Sequence, residues 1–401
     1  MNLSEFKRSG HWPTLLCSFL YFDTSFMVWT LMGALGVFIA QAFQLSPAQK
    51  GLLVAIPLLG GSVLRIVLGV ATDRVGPRRI GLAGLTLTLV PLLWCWMHSN
   101  TVVDMVGIGL MLGIAGASFA VALPLASRWY PAQYQGLALG IAGAGNSGTV
   151  LAAFFAPRLA EHFGWRAVFG LASIPIGITL VLFWMFAKES PAKPAPKPLR
   201  SYARILAEPD VWRFNAFYMV TFGGFVGLAS FLPMFFYDQY GVSRVEAGTF
   251  AALCVFAGSL LRPLGGLMAD RFGGIRVLSV LYAAAAILVF ALSMLPPLHV
   301  AVTLLLLVMA CLGTGNGSVF QLVPQRFGNQ IGVATGIVGA AGGAGGFFLP
   351  TLLGTLKSLS GSYAPGLVLF ALAAIAAMLM LLSVRREWRA DWARSDLEVA
   401  L

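Results

Sequence analysis

The chain has 401 residues, of which 58% are hydrophobic and 10% charged, and its formal net charge is +11. Soluble domains carry about 25% charged residues, and a soluble fold could not bury this much apolar surface, so the solvent for most of the chain is lipid. The positive charge does not mark a nucleic-acid binder, because the basic residues gather in loops on one side of the expected membrane.

Apolar runs of about 20 residues, separated by short polar loops, recur along the whole chain, and that length crosses a bilayer as a helix. They predict twelve helices, at 13–43, 51–71, 79–98, 102–126, 134–157, 165–187, 212–238, 246–269, 275–295, 298–321, 331–356 and 363–384. With the N-terminus inside, the inner segments hold nineteen Lys and Arg residues and the outer loops five (Lys50, Arg158, Arg166, Arg244 and Lys357). That asymmetry predicts an inner-membrane protein with both termini in the cytoplasm. Residues 1–10 are short and polar and the first apolar run is long enough to stay as a helix, so no cleavable signal is expected. Cys17, Cys95, Cys254 and Cys311 lie in apolar runs without metal-ligand spacing and read as buried structural thiols. Neither a metal nor any other cofactor is expected.

Helix 1 carries Asp23, the one acidic residue clearly inside the membrane. It stands roughly 15 Å from the cytoplasmic end at 1.5 Å per residue. It is a candidate for taking up and releasing a proton; the alternatives are a fixed partner for an arginine or a helix-end polar group. His98 and His299 fall at outer helix ends and read as solvated.

Helix 2 holds Arg65 near its middle, in Gly61-Ser62-Val63-Leu64-Arg65, and a loop with Asp73, Arg74, Gly76 and Arg79 follows it. The same stretch recurs without a gap in helix 8: Arg65 maps to Arg262, Asp73 to Asp270, Arg74 to Arg271, Gly76 to Gly273 and Arg79 to Arg276. A repeat this long means two halves built alike. The halves are expected at 1–187 and 211–401. Between them, 188–210 interleaves Pro191, Pro194, Pro196 and Pro198 with lysines and reads as an extended cytoplasmic linker.

A charge at the bilayer centre costs at least about 2.5–3.5 kcal/mol. Two arginines at equivalent mid-helix positions, with few acids to neutralise them, should attract an anion. The rigid guanidinium fork suits a small planar oxyanion. The plainer alternative has each arginine hydrogen-bonded to backbone carbonyls as a strut.

Glycine then crowds helix 5, at Gly140, Gly143, Gly145 and Gly148 around Asn146, and helix 11, at Gly336, Gly339, Gly342, Gly343, Gly345 and Gly346. Neither stretch is a phosphate loop, since no Lys-Ser/Thr follows and both lie inside apolar helices. Such faces allow close, sliding helix contact. By the repeat, Asn146 corresponds to Gly342, so the site is not symmetric.

The loop pattern Gly69, Asp73, Arg74, Gly76, Arg79, with Gly266, Asp270, Arg271, Gly273, Arg276 in the second half, resembles that of the major facilitator superfamily. The resemblance covers nearly the whole chain. It implies an all-α membrane protein of twelve transmembrane helices in two pseudo-symmetric six-helix bundles, the two loops acting as a conformational gate. The arginine pair and the glycine stretches look like those of the nitrate/nitrite porter family. That resemblance implies secondary transport by alternating access, by proton-linked nitrate uptake or by nitrate/nitrite exchange, and a protein functional as a monomer. It also implies substrate contacts at Asn146 and at Tyr218 in helix 7, with Phe26, Phe119 and Phe222 sandwiching the anion. A larger organic anion is the alternative cargo, and a sensor with a transporter fold is a further reading. An enzyme is not expected, because no Ser-His-Asp set, metal-spaced cluster or nucleotide loop is present.

Overall fold

The computed structural model describes residues 3–191, 199–327 and 331–399. Among these the regular structure is helical, without strands, and eleven helices are long and apolar enough to cross a membrane. The remaining crossing, α1, is built in three pieces: Trp12–Trp29, Leu31–Ala34 and Gly36–Ala42. Its first break has a local cause. The Thr30 hydroxyl donates back to the Phe26 carbonyl at 3.0 Å, a contact that bends helices.

The other crossings are α2 (Pro47–Val75), α3 (Pro77–His98), α4 (Val102–Ser127), α5 (Ala132 to Phe163), α6 (Trp165–Phe186), α7 (Pro209–Tyr240), α8 (Arg244–Phe272), α9 (Gly274–Ser293), α10 (Leu298–Phe327), α11 (Ile331–Ser360) and α12 (Ala364–Val399). Two of them are irregular where the glycines and aromatics concentrate. A 3-10 turn at Ala144–Ser147 interrupts α5, and a π turn at Met219–Gly223 interrupts α7.

Several helices run beyond their expected ends, because polar termini read as loop are caps. α2 begins in a capping box of Ser46 with Gln49, and α8 in one of Ser243 with Glu246. These four residues match across the repeat. Each helix is 29 residues long and stops at a glycine with positive φ, Gly76 at 109° and Gly273 at 89°, where a side chain would be strained. α12 continues past 384 because Trp388 is buried, stacks on Phe214 at 5.0 Å and donates from its indole to Asp210 at 3.0 Å. Within the expected linker, Leu199–Leu206 is helical, and residues 192–198 lie outside the described ones. Large side chains such as Val67, Leu260, Val280 and Ile287 are exposed on the outer faces, as lipid contact requires.

α2 packs along α11, and α5 along α8, joining the two halves. Away from the Asp-Arg loops the joint is tight. Lys50 pairs with Asp238 at 2.9 Å, Gln41 bonds Tyr237 at 2.7 Å, and Arg158 donates to Thr249 at 2.8 Å. Gly51 and Gly354 let α2 and α11 touch backbone to backbone. At the loop end the polar contacts stay within one half. Arg128 pairs with Asp73 at 2.7 Å, Gln321 donates to Asp270 at 2.9 Å, and Asp210 gathers Arg213 and Arg326. Among the described residues the polar contacts between the halves lie away from that end, and the loop-side part of α5, Ala132–Gly143, packs far less on α8 than Gly148–Phe163 does, so the halves are joined at one end and parted at the other.

Candidate functional site

Arg65 is 1% exposed in the middle of α2. Its Nη1 donates to the Gly339 carbonyl at 2.6 Å and its Nη2 to the Gly116 carbonyl at 2.8 Å, while Nε has no partner. Glycine makes this geometry possible. A Cβ at Gly339 would stand 3.3 Å from the Arg65 side chain. In this state Arg65 therefore serves as the backbone-bonded strut, and one of its two acceptors lies in the opposite half.

Arg262 differs. It is only partly buried, yet its Nη1 is buried and unbonded. The Phe119 ring lies against both guanidinium groups, at 5.3 Å from Arg65 and 5.6 Å from Arg262. Phe222 and Trp29 also face Arg65, at 5.3 Å and 5.7 Å.

Tyr218 is the last α-helical residue before the π turn, and Phe222 lies within the turn. The turn holds their rings stacked at 5.0 Å and 6°. The Tyr218 hydroxyl is buried, completes no well-formed hydrogen bond and lies within interaction range of the Arg262 guanidinium. Gly342 clears the space for it, since a Cβ there would meet the ring at 2.5 Å. Asn146 sits in the 3-10 turn of α5, 1% exposed, with both side-chain polar atoms unbonded. The carbonyl of Asn146 is 3.5 Å from the Ser259 hydroxyl, three residues before Arg262 in α8. Phe26 touches Trp29 and Phe222 at 4.9 and 6.4 Å.

These contacts link the expected substrate-contact residues to one another along the seam between the halves. Buried polar atoms are normally satisfied. Orphan donors on Arg65, Arg262, Asn146 and Tyr218, walled by aromatic rings, form a site suited to a small flat anion. Sequence reasoning missed three members of the aromatic wall. Trp29 donates to the Pro57 carbonyl at 2.6 Å, Phe22 lies 5.7 Å from Phe119, and Phe320 lies 4.8 Å from Tyr218. Gly61 and Gly116 both open space for the Trp29 indole.

Asp23 is buried beside this region. It accepts from the Ser147 hydroxyl at 2.6 Å, one residue from Asn146. Among the described residues no ion pair involves it, so it is not an arginine's partner here. The glycines divide. Gly145, Gly339, Gly342 and Gly343 are in close contact, with Phe22, Arg65, Tyr218 and Ser62 respectively. A Cβ placed on Gly140, Gly143 or Gly336 would instead meet nothing within 4 Å. In the loops, Arg74, Arg79, Arg271 and Arg276 are exposed. The arginine that binds there is Arg78, which donates to the carbonyls of Ala187 and Trp184 at 2.6 and 2.8 Å.

Residues 17–350 match the family model described as Major Facilitator Superfamily. The chain is 34% identical to the nitrite extrusion protein of Bacillus subtilis (strain 168), over 89% of this chain and 90% of that one. It is 36% identical to the probable nitrate/nitrite transporter NarK2 of Mycobacterium tuberculosis, over 88% and 91%. It is 30% identical to the probable nitrate/nitrite antiporter NarK1 of Thermus thermophilus, over 98% and 97%. Among solved structures, the fold matches a bacterial homolog of the human lysosomal transporter Spinster in an inward-facing and occupied conformation, with a TM-score of 0.74 at 18% identity over 93% of this chain and 96% of that one. It also matches the human organic anion transporter MFSD10 (TETRAN), with a TM-score of 0.72 at 14% identity over 92% and 99%.

Proposed function

We propose that this chain, which belongs to the Major Facilitator Superfamily and within it to the nitrate/nitrite porter family, carries nitrate and nitrite across the cytoplasmic membrane by alternating access. The observation that carries this reading is the set of orphan donors on Arg65, Arg262, Asn146 and Tyr218 inside one aromatic wall. Two arginines in a medium of low dielectric repel each other. A bound anion screens that repulsion and lets the parted end close. An empty carrier meets the full repulsion, so charge gates the motion.

The excess of Lys and Arg at the loop end supports reading that end and both termini as cytoplasmic. The state described is then open to the cytoplasm. Closure brings the halves, residues 1–187 and 211–401, together at their cytoplasmic ends. The open faces of Gly140, Gly143 and Gly336 provide the smooth surface for it. Asp73, Arg74, Arg79, Asp270, Arg271 and Arg276 form the gate that is made and broken at that end. The unit is a monomer, and it moves its substrate without chemistry on it.

For coupling, Asp23 is the candidate proton carrier, since its bond to Ser147 links it to the turn that presents Asn146. This supports proton-linked nitrate uptake. Nitrate/nitrite exchange is the second reading, supported by the antiporter named among the relatives. Liposomes loaded with or without nitrite, and given a pH gradient, separate the two. Nitrate entry driven by the gradient alone, and lost in Asp23→Asn, supports symport. Entry that depends strictly on internal nitrite and survives Asp23→Asn supports exchange. Competition by nitrite but not by glycerol phosphate excludes an organic-anion cargo, and anion binding without any movement would favour a sensor.

A further inference from the structure

Asn316 in α10 is 0% exposed, and neither its Nδ2 nor its Oδ1 has a hydrogen-bond partner. A buried amide that satisfies neither group is costly and needs an explanation. Its polar neighbours on the same helix do not share the problem. The Thr314 hydroxyl donates to the Ala310 carbonyl at 2.8 Å, and the Ser318 hydroxyl to the Gly265 carbonyl at 3.1 Å.

The surroundings of Asn316 fix which way it faces. Gly315 packs against Thr221 in the π turn of α7, at 2.8 Å from its Cβ position. Gly317 packs against the Arg262 carbonyl in α8. The position between them on the helix is Asn316. Phe320 follows four residues later, on the same helical face, and its ring lies 4.8 Å from Tyr218 and 5.7 Å from Phe119. The face of α10 that carries Asn316 is therefore the face that walls the anion site, about one turn further from the parted end.

The repeat sharpens the point. It puts Gly342 where the second half would have its counterpart of Asn146, and the ring of Tyr218 fills the space in front of Gly342. The second half has no amide on α11 at that position, but it has an unpaired one on α10.

We propose that Asn316 is a further anion-contacting residue, whose amide N–H donates to an oxygen of the bound anion opposite Asn146. This rests on the anion site described under Proposed function. Nitrate carries a third oxygen that nitrite lacks, so a donor from α10, on a side of the site not served by the arginines, Asn146 and Tyr218, serves nitrate more than nitrite. Asn316 sets preference between the two anions as well as affinity.

The test measures uptake of nitrate and of nitrite into proteoliposomes by wild type, Asn316→Ala and Asn316→Ser, with thermal melting of each detergent-purified protein in chloride buffer. The expected result for Asn316→Ala is a nitrate KM raised about tenfold, as loss of one hydrogen bond to a charged group implies. The nitrite KM should rise less, maximal rate should stay within about twofold, and melting should be unchanged or higher. Asn316→Ser, which keeps a donor, should recover part of the nitrate affinity. An unchanged nitrate KM and an unchanged nitrate-to-nitrite preference in both variants would overturn the inference. So would a loss confined to melting temperature and maximal rate, which is the mark of a packing role. If wild type moves neither anion, the transport reading itself fails and this inference goes with it. If wild type moves both and the variants match it, the inference alone fails.

Discussion

Arg65 and Arg262 occupy equivalent positions in the two halves, yet they are held differently. Arg65 is sunk between helices, and two backbone carbonyls occupy its terminal nitrogens. Arg262 is less buried and keeps an unbonded Nη1. The difference teaches that a repeat fixes where a charge sits, not what it binds. Because Gly339 belongs to the opposite half, rocking of the halves changes the partner set of Arg65, whereas Arg262 has no such acceptor to lose. In the proposed transport cycle the first arginine would sense the state of the carrier, and the second would hold a donor for the anion.

The largest expected effects break this comparison directly. Arg262→Lys should lower the ratio of maximal nitrate transport to KM about a hundredfold or more, because an ammonium cannot reproduce the planar fork. Its melting temperature should stay near wild type. Arg65→Lys should lower transport by at least about tenfold and also lower melting by several degrees, since two buried carbonyls lose their donor. Equal melting of the two variants would erase the distinction between the arginines. Next in size, Tyr218→Phe should raise nitrate KM about tenfold while leaving melting nearly unchanged, as the lost hydroxyl completes no well-formed hydrogen bond within the protein. The glycines give a smaller contrast. Gly342→Ala pushes on the Tyr218 ring and should weaken nitrate affinity severalfold. Gly336→Ala meets nothing within 4 Å in this state, so it should bind normally and transport slowly. The smallest effect belongs to Asp73→Asn. It removes a partly exposed pair with Arg128, worth about 0.2–1 kcal/mol, and should cost melting little while altering turnover.

Much of this molecule is legible in its sequence for a physical reason. A membrane arginine is too costly to be incidental, so Arg65 and Arg262 stand out at once, and the Ser-Gln and Ser-Glu caps with Gly76 and Gly273 repeat the frame around them. What stays hidden is of three kinds. The acceptors of Arg65 are backbone carbonyls, and no side-chain pattern announces them. Trp29, Phe22 and Phe320 line the site but sit in helices whose large apolar residues run round every face, so periodicity cannot separate wall from lipid contact. Asn316 is inconspicuous because its place in a glycine-rich run of α10 is not the repeat position of Asn146. The glycines are half readable. Their density marks close packing, but only the fold separates those pressed on Tyr218 and Arg65 from Gly140, Gly143 and Gly336, which face open space.

The central claim is that Arg262 meets the anion while Arg65 also braces the halves. The most direct measurement is the nitrate-induced rise in melting temperature of the purified protein, compared among wild type, Arg65→Lys and Arg262→Lys at constant ionic strength. Wild type should be stabilised by nitrate and not by an equal concentration of chloride. Arg262→Lys should melt like anion-free wild type and lose the nitrate-induced rise. A full nitrate-induced rise in Arg262→Lys would contradict the account.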